Sequence, residues 1–555
     1  MAVDREEQPQ EQETAGRDVA GAEETTTTQV EVKTDSVEGS TVTVAGRDVV
    51  YNGSVIINVR VGTTSGELEG LWEGIARGIN RALARVAEER EQKDKAAKLR
   101  RPDVYSPYET GLQEKDLPEI ERWFREDLPT AREKYFAIAL SLFNGLKWTD
   151  FWDIYQAILA SRDLLVNEDD EKDAWLFGQT DQELVEKARA HIVRKEDEAA
   201  EVIEFEEEGY PGVILDMLRT KYRPRLIELL PDLGRLGEHP YWEVRARAAY
   251  AVAEIGKLDF YRIRRQVLET WAQDNRPYVR AAVGYTASRL IQDGITETEV
   301  RKMLDEWADP EENRNWRFRW AAAAAHKQIG LSNPDIALPS LKLVARNDDI
   351  RIADAVIYAL LVISFDDKLE AVLSALKEWL EEDDGSKMEP NVVPLVATLA
   401  FLTLGNAYTS RAEHESDDGK EQEDDTFLAL LAVDVEGTWR AVVQAALSKA
   451  LKYRLADEAF DVLKGWARQT RDSEVRLATV RDLVADWYMT LWQDRHQIGM
   501  TATLNRLKRW TRDKDEAVRM VAQATIAEIK RRVDAVPLST PPSRSGGKKL
   551  IVFGT

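Results

Sequence analysis

The chain carries few of the side chains from which active sites are usually built. Cysteine is absent, which excludes disulfides, thiolate metal sites, cysteine nucleophiles and thiol redox chemistry. The five histidines, His191, His239, His326, His414 and His496, are scattered, and no pair has the spacing of zinc ligands. His326, in AAAAAHKQIG, reads as a packing or surface residue of a helix rather than a base. Gly-x-Ser-x-Gly is missing, so there is no nucleophile elbow. Gly-Lys occurs only at Gly256-Lys257, Gly419-Lys420 and Gly547-Lys548. None is followed by Ser or Thr, and none has a glycine five positions before its own, so there is no phosphate loop. The 100 acidic residues offer accidental carboxylate pairs, but no motif marks any of them for acid–base work. The reading is a non-enzyme with no catalytic residue, no metal and no cofactor.

Composition points the same way. With 76 Lys plus Arg against 100 Asp plus Glu, the 555 residues carry a net charge of −24. A balance this acidic argues against unspecific nucleic-acid binding and against adhesion to anionic membrane. No run reaches the ~20 apolar residues of a membrane span. The nearest, Ala353–Phe365 and Val392–Leu404, read as buried helices. The opening MAVDREEQPQEQE has no apolar core, so it is not a secretory signal and the expected location is cytoplasmic. Sixteen tryptophans spread along the chain supply many separate packing contacts.

Several kinds of segment must position this material. Residues 1–28 are Glu/Gln/Thr-rich and predict a disordered acidic tail. Residues 29–62 alternate β-branched and polar side chains between turn signals, predicting a small β meander that must pack on something or self-associate. Residues 66–101 predict a helix with two marked faces. One is an apolar stripe including Leu71, Trp72, Ile75 and Ile79. The other is a glycine row, Gly66, Gly70, Gly74 and Gly78, suited to close helix approach. This segment is the candidate for homo-oligomer assembly, through residues 29–99. Residues 102–130 are proline-punctuated and read as a linker. Residues 131–235 predict helices, with short strands at His191–Val193 and Val202–Phe205, a winged-helix-like pattern. Residues 409–427 read as an acidic loop, and 536–555 as a flexible tail.

From 238 to 535 the sequence repeats. An apolar residue followed by Arg opens a helix, and Ile or Leu falls ten residues after the Arg. The arginines are Arg245, Arg280, Arg319, Arg351 and Arg519, while Arg476 has the opening without the tenth-position residue. Small residues lie between, as in RARAAYAVAEI and RWAAAAAHKQI. A second mark, Leu-x-x-Trp near the end of the other helix, recurs at Trp271, Trp307, Trp379, Trp466 and Trp510, with Leu343 midway between Trp307 and Trp379 where a Trp is absent. Two-helix repeats of this length predict an α-solenoid. The arginines are expected to be structural, bonding carbonyls or acidic groups, commonly the Asp of the preceding turn (Asp274, Asp348, Asp472, Asp515).

These marks resemble HEAT repeats. The order REKYFAIALSLFNGLKWTDFWDIY, then VIEFEEEGYPGVILDMLRTKYRPRLIELLPDLG, then the repeats is similar to the C-terminal half of actinobacterial STAND-type NTPases, in which a winged helix precedes a sensor array. The phosphate-loop domain of that family has no room here. The expected fold is therefore mainly α: a HEAT-like α-solenoid with a small N-terminal β segment and helix. The expected function is a non-enzymatic scaffold that recognises protein partners, with no nucleic acid and no membrane span. The alternatives are a sensor or regulatory subunit of a STAND-like bacterial conflict or signalling system, and a HEAT-like enzyme acting on a modified base or bilin.

Overall fold

The computed structural model describes residues 117–535, apart from 163, 165–180, 196–199, 208, 310, 312–314, 347–348, 384–390, 416–426, 435 and 472. The expected acidic tail, meander and glycine-row helix (residues 1–101) and the C-terminal tail lie outside the described residues.

The first element corrects the linker reading. Helix α1 (Leu117–Arg122) runs into a π turn (Trp123–Asp127) inside that proline-punctuated stretch. Pro118 falls in the first helical turn, where its missing N–H costs nothing. Ile120, Trp123 and Phe124 are buried, and the Trp123 indole donates to the carbonyl of Lys187 at 2.9 Å.

Next come α2 (Ala131–Phe143) and α3 (Trp148–Ala160). Thr130 opens α2 with a capping box, its hydroxyl accepting from the Glu133 N–H while the Glu133 carboxylate accepts from the Thr130 N–H. The segment between the two helices pairs with a sheet. Gly145 N–H donates to Ile203 O, and Ile203 N–H to Leu146 O. That sheet is the antiparallel hairpin β1 (Ala190–Lys195) and β2 (Ala200–Phe205), with Ile192 opposite Ile203, preceded by α4 (Asp181–Lys187). After it come α5 (Tyr210–Thr220), α6 (Arg223–Ile227) and α7 (Leu230–Leu236).

From Trp242 on, all described elements are helices. They are α8 (Trp242–Gly256), α9 (Phe260–Ile263, continued through a π turn, Arg264–Leu268, into Glu269–Gln273), α10 (Pro277–Asp293) and α11 (Glu297–Ala308). Then come α12 (Trp316–Ser332), α13 (Pro334–Ala345), α14 (Ile350–Ile363), α15 (Leu369–Glu381) and α16 (Val393–Glu415). The last are α17 (Phe427–Ala432), α18 (Thr438–Lys452), α19 (Ala456–Arg468), α20 (Glu474–Gln493), α21 (Gln497–Trp510) and α22 (Glu516–Ala535). α16 carries helix through 409–415, so the first part of the expected acidic loop is helical.

One layer runs in chain order: α8 packs on α10, α10 on α12, α12 on α14, and so on through α16, α18, α20 and α22. The second layer leans on it, with α11 against α12, α13 against α12 and α14, and α15 against α16. The multi-helix packing is consistent with an α-solenoid. Small residues make the first layer tight. A Cβ on Gly284 of α10 would lie 2.7 Å from the main-chain oxygen of Ala324 on α12, a contact only glycine permits. The tenth-position residues Ile255, Leu290, Ile329, Leu361 and Ile529 are all buried.

Candidate functional site

The recurrent arginines sit where a chain turn enters a first-layer helix. The N-cap residues of α8 and α10, Tyr241 and Arg276, offer no side-chain cap. The arginine four residues further on closes the turn instead. Arg245 Nη1 donates to the carbonyls of His239 and Pro240, at 2.7 and 2.5 Å. Arg280 Nη1 donates to those of Asp274 and Asn275, at 2.7 and 3.0 Å. Far along the chain, Arg519 Nη1 repeats the pattern on Asp513 and Lys514, at 2.9 and 2.8 Å. A charged donor shared by two successive carbonyls fixes the turn that joins neighbouring helices.

The expected partner, the carboxylate of the preceding turn, differs in detail. Asp274 accepts from Arg276, not Arg280: from its N–H at 2.7 Å, from Nε at 2.9 Å and from Nη2 at 2.7 Å. Those bonds hold the Asp274 carboxyl below the usual carboxylate range, against the effect of its burial. Asp515 caps α22 through the N–H of Ala517. Arg351 takes a third form, its Nε donating at 2.9 Å to Asp349, whose carboxylate also caps α14 at the Arg351 N–H. Asp348 and Asp472 lie outside the described residues.

Aromatic rings at the same helix starts join these arginines into a ladder. The Arg245 guanidinium stands 4.6 Å from the centre of the Tyr278 ring of α10, and Arg276 stands 5.8 Å from it. Arg280 stands 5.0 Å from Trp316 and 4.5 Å from Trp320, both on α12. Arg317 lies 5.3 Å and Arg351 3.9 Å from the same Trp316 ring. One indole thus meets three guanidiniums, from α10, α12 and α14. The ring faces offset part of the like-charge repulsion. The rest shows on Arg280, which is 3% exposed: burial first, then the neighbouring Arg317 and Arg351 charges, pull its pKa down to about 10 against the pull of Asp274. The sequence marks did not find Tyr278, Trp316, Trp320, Arg276 or Arg317. The available signal was an aromatic residue two or three positions before Arg280 and Arg319, in PYVR and WRFR.

The other marked residues do structural work. Trp271, Trp307, Trp379, Trp466 and Trp510 are all buried. Trp271 donates from its indole to the Gly234 carbonyl at 2.9 Å, Trp307 packs on Phe318, and Trp466 stacks on Phe427. Leu343 is half-buried against the same core. Arg319 is buried, and Arg476 opens α20 with its N–H on the Ser473 hydroxyl. The assembly candidates Gly66, Gly70, Gly74, Gly78, Leu71, Trp72, Ile75 and Ile79 lie outside the described residues.

Two further polar features stand out. Buried Glu254 of α8 gathers Lys257 at 2.8 Å, Arg289 of α10 at 3.3 Å and Arg219 of α5 at 3.4 Å, and Lys257 also meets Asp293. This network ties α5, beside the hairpin, to α8 and α10. His326 is buried, and among the described residues neither ring nitrogen has a hydrogen-bond partner. Burial, then the Arg301 charge, pushes its imidazole down to about 4. An open groove beside α11 mixes Glu297, Arg301, Lys302 and Asp305 without a convergent reactive pair. Among the described residues no His/Asp/Glu group could hold a metal ion, and no helix is long and apolar enough to cross a membrane.

No family model matches this chain, and no curated protein matches it. Among solved structures it is similar to an engineered protein from the Northeast Structural Genomics Consortium. The identity is 14%, the match covers 75% of this chain and 99% of that one, and the TM-score is 0.23. A value that low carries no argument about fold or function.

Proposed function

We propose that the chain is a non-enzymatic recognition scaffold, a HEAT-like α-solenoid over residues 238–535 that offers an extended surface to a protein partner. The observation that carries this reading is the succession of first-layer helices, each packed on the next in chain order from α8 to α22. Such an array builds a long surface rather than a single enclosed pocket. Homo-oligomer assembly through residues 29–99 belongs to the same proposal.

One observation favours the sensor-subunit reading as a second possibility. The order of described elements, α2, a short paired segment at 145–147, α3, α4 and the β1–β2 hairpin, supports reading this region as a winged helix. The position of a recognition helix falls on α4, whose DQELVEK is acidic. That suits contact with protein better than with phosphates.

Affinity capture with the full-length chain from native lysate, followed by reconstitution from purified components, tests the scaffold reading. The expected result is a stoichiometric protein complex. Failure to reconstitute any complex, together with substrate turnover by the purified chain alone, would overturn it.

A further inference from the structure

We infer that the starts of α8, α10, α12 and α14 form a docking edge for an extended acidic segment of a partner protein, read through oxyanions spaced one helix apart. The inference rests on the scaffold reading and names the chemistry of its partner.

Charge is the first argument. Five guanidiniums line this edge, those of Arg245, Arg276, Arg280, Arg317 and Arg351. Arg276 bonds Glu238 and Asp274, and Arg351 bonds Asp349, whereas Arg245 and Arg280 donate to main-chain carbonyls and Arg317 to the Asn275 side chain. These guanidiniums gather on a chain of net charge −24. Among the described residues the buried Nε groups of Arg280 and Arg317 have no acceptor. Arg317 Nη2 donates to the Asn275 side-chain oxygen at 2.6 Å. An incoming oxyanion would relieve cations that the fold holds against one another.

Composition is the second argument. Arg, Trp and Tyr are the side chains that dominate binding hot spots. The edge also opens with exposed aromatics that the core does not use, Tyr241 and Trp242 at the start of α8, 61% and 45% exposed.

Geometry is the third. Packed helices lie about 8–10 Å apart. A polyproline-like chain rises about 3.1 Å per residue, so positions i, i+3 and i+6 fall about 9 Å apart and meet successive helix starts. Same-side residues of a β-strand recur at about 7 Å and lose register after one helix. The favoured ligand is therefore an extended segment with an acidic side chain at every third position, a carboxylate or a phosphorylated residue. The closely spaced charge of a nucleic acid would meet the acidic field of the remaining surface.

Fluorescence anisotropy with the full-length protein tests this. The probes are a labelled peptide with Glu at every third position among Pro and Ala, its phosphoserine counterpart, a peptide of identical composition with its Glu residues in one block, and a single-stranded 12-nucleotide DNA. The in-register peptides should bind at least tenfold more tightly than the block peptide and the DNA, and the two in-register arms distinguish carboxylate from phosphate. Arg317→Gln should weaken the in-register peptide about tenfold, and Arg531→Gln on α22 should not. If Arg317→Gln does not fold, Trp242→Ala, at an exposed site, replaces it with the same expectation. Equal binding of in-register and block peptides, equal binding of DNA, or indifference to the edge variants would overturn the inference. A native partner still captured by Arg317→Gln would then leave the scaffold reading intact and remove only the edge.

Discussion

The guanidinium carbon of Arg351 stands 3.9 Å from the centre of the Trp316 ring, tying α14 to α12 by a cation–π contact. Arg280 reaches the same ring from α10 at 5.0 Å, so one indole couples three neighbouring helices of the first layer, α10, α12 and α14. A double-mutant cycle on Arg351→Met and Trp316→Leu should return a coupling of about 1 kcal/mol in chemical denaturation, within the range for a partly desolvated pair. Additive single effects would mean that the contact contributes packing alone.

The Glu254 network predicts an asymmetric cost. Removing the one carboxylate that gathers Lys257, Arg289 and Arg219 takes the shared counter-ion from buried Lys257, which keeps Asp293, the more exposed of the two carboxylates it meets. Glu254→Ala should therefore destabilise by about 3 kcal/mol. Arg219→Ala, at a side chain 30% exposed, should cost far less. Urea melts followed by circular dichroism compare the two, and equal costs would contradict the assignment of Glu254 as the hub.

The Trp271 ring lies against Gly237, where an added Cβ would fall 2.0 Å from a ring carbon. Gly237→Ala should therefore cost about 1–3 kcal/mol through overpacking, and Trp307→Ala about 3–5 kcal/mol through the cavity it leaves. A Gly237→Ala melt indistinguishable from wild type would show that the α7–α9 contact has slack.

Much of this was legible in the sequence, because helix starts and buried faces are local properties. The apolar-Arg mark falls in the first turn of α8, α10, α12, α14 and α22, and the residue ten positions on is buried in each. The strands at 190–205 were visible as β-branched runs and prove slightly longer than expected. The ladder was only partly legible: the aromatic residues precede the marked arginines locally, but the pairings of Tyr278 with Arg245 and of Trp316 with Arg280 and Arg351 join residues more than thirty positions apart. The linker reading failed at 117–127 for a simpler reason. Proline count suggested a coil, yet Pro118 sits in the first helical turn and the buried Trp123 and Phe124 anchor the segment.

His326 predicts a pH dependence. Its folded pKa of about 4 lies below the ~6.5 of an unfolded histidine. As pH falls below about 6.5 the unfolded chain takes up a proton that the folded chain refuses, so the folded state loses stability. The loss should run at about 1.4 kcal/mol per pH unit and level off near pH 4. Stability measured across pH 7 to 4 for wild type and His326→Leu isolates this contribution from the carboxylates. Parallel curves would mean that the imidazole has a polar partner or admits water.

The central claim is that the helices from α8 to α22 form an array held by nearest-neighbour contacts. Trp510, buried against Phe460 between α21 and α19, sits near one end of it. Hydrogen exchange with mass spectrometry on Trp510→Ala tests the claim most directly. In an array, amide protection should fall in α19–α22 by two orders of magnitude or more, the effect of about 3 kcal/mol, while α8–α12 keep wild-type protection. An equal loss across α8–α22 would show one cooperative globular bundle and contradict the account.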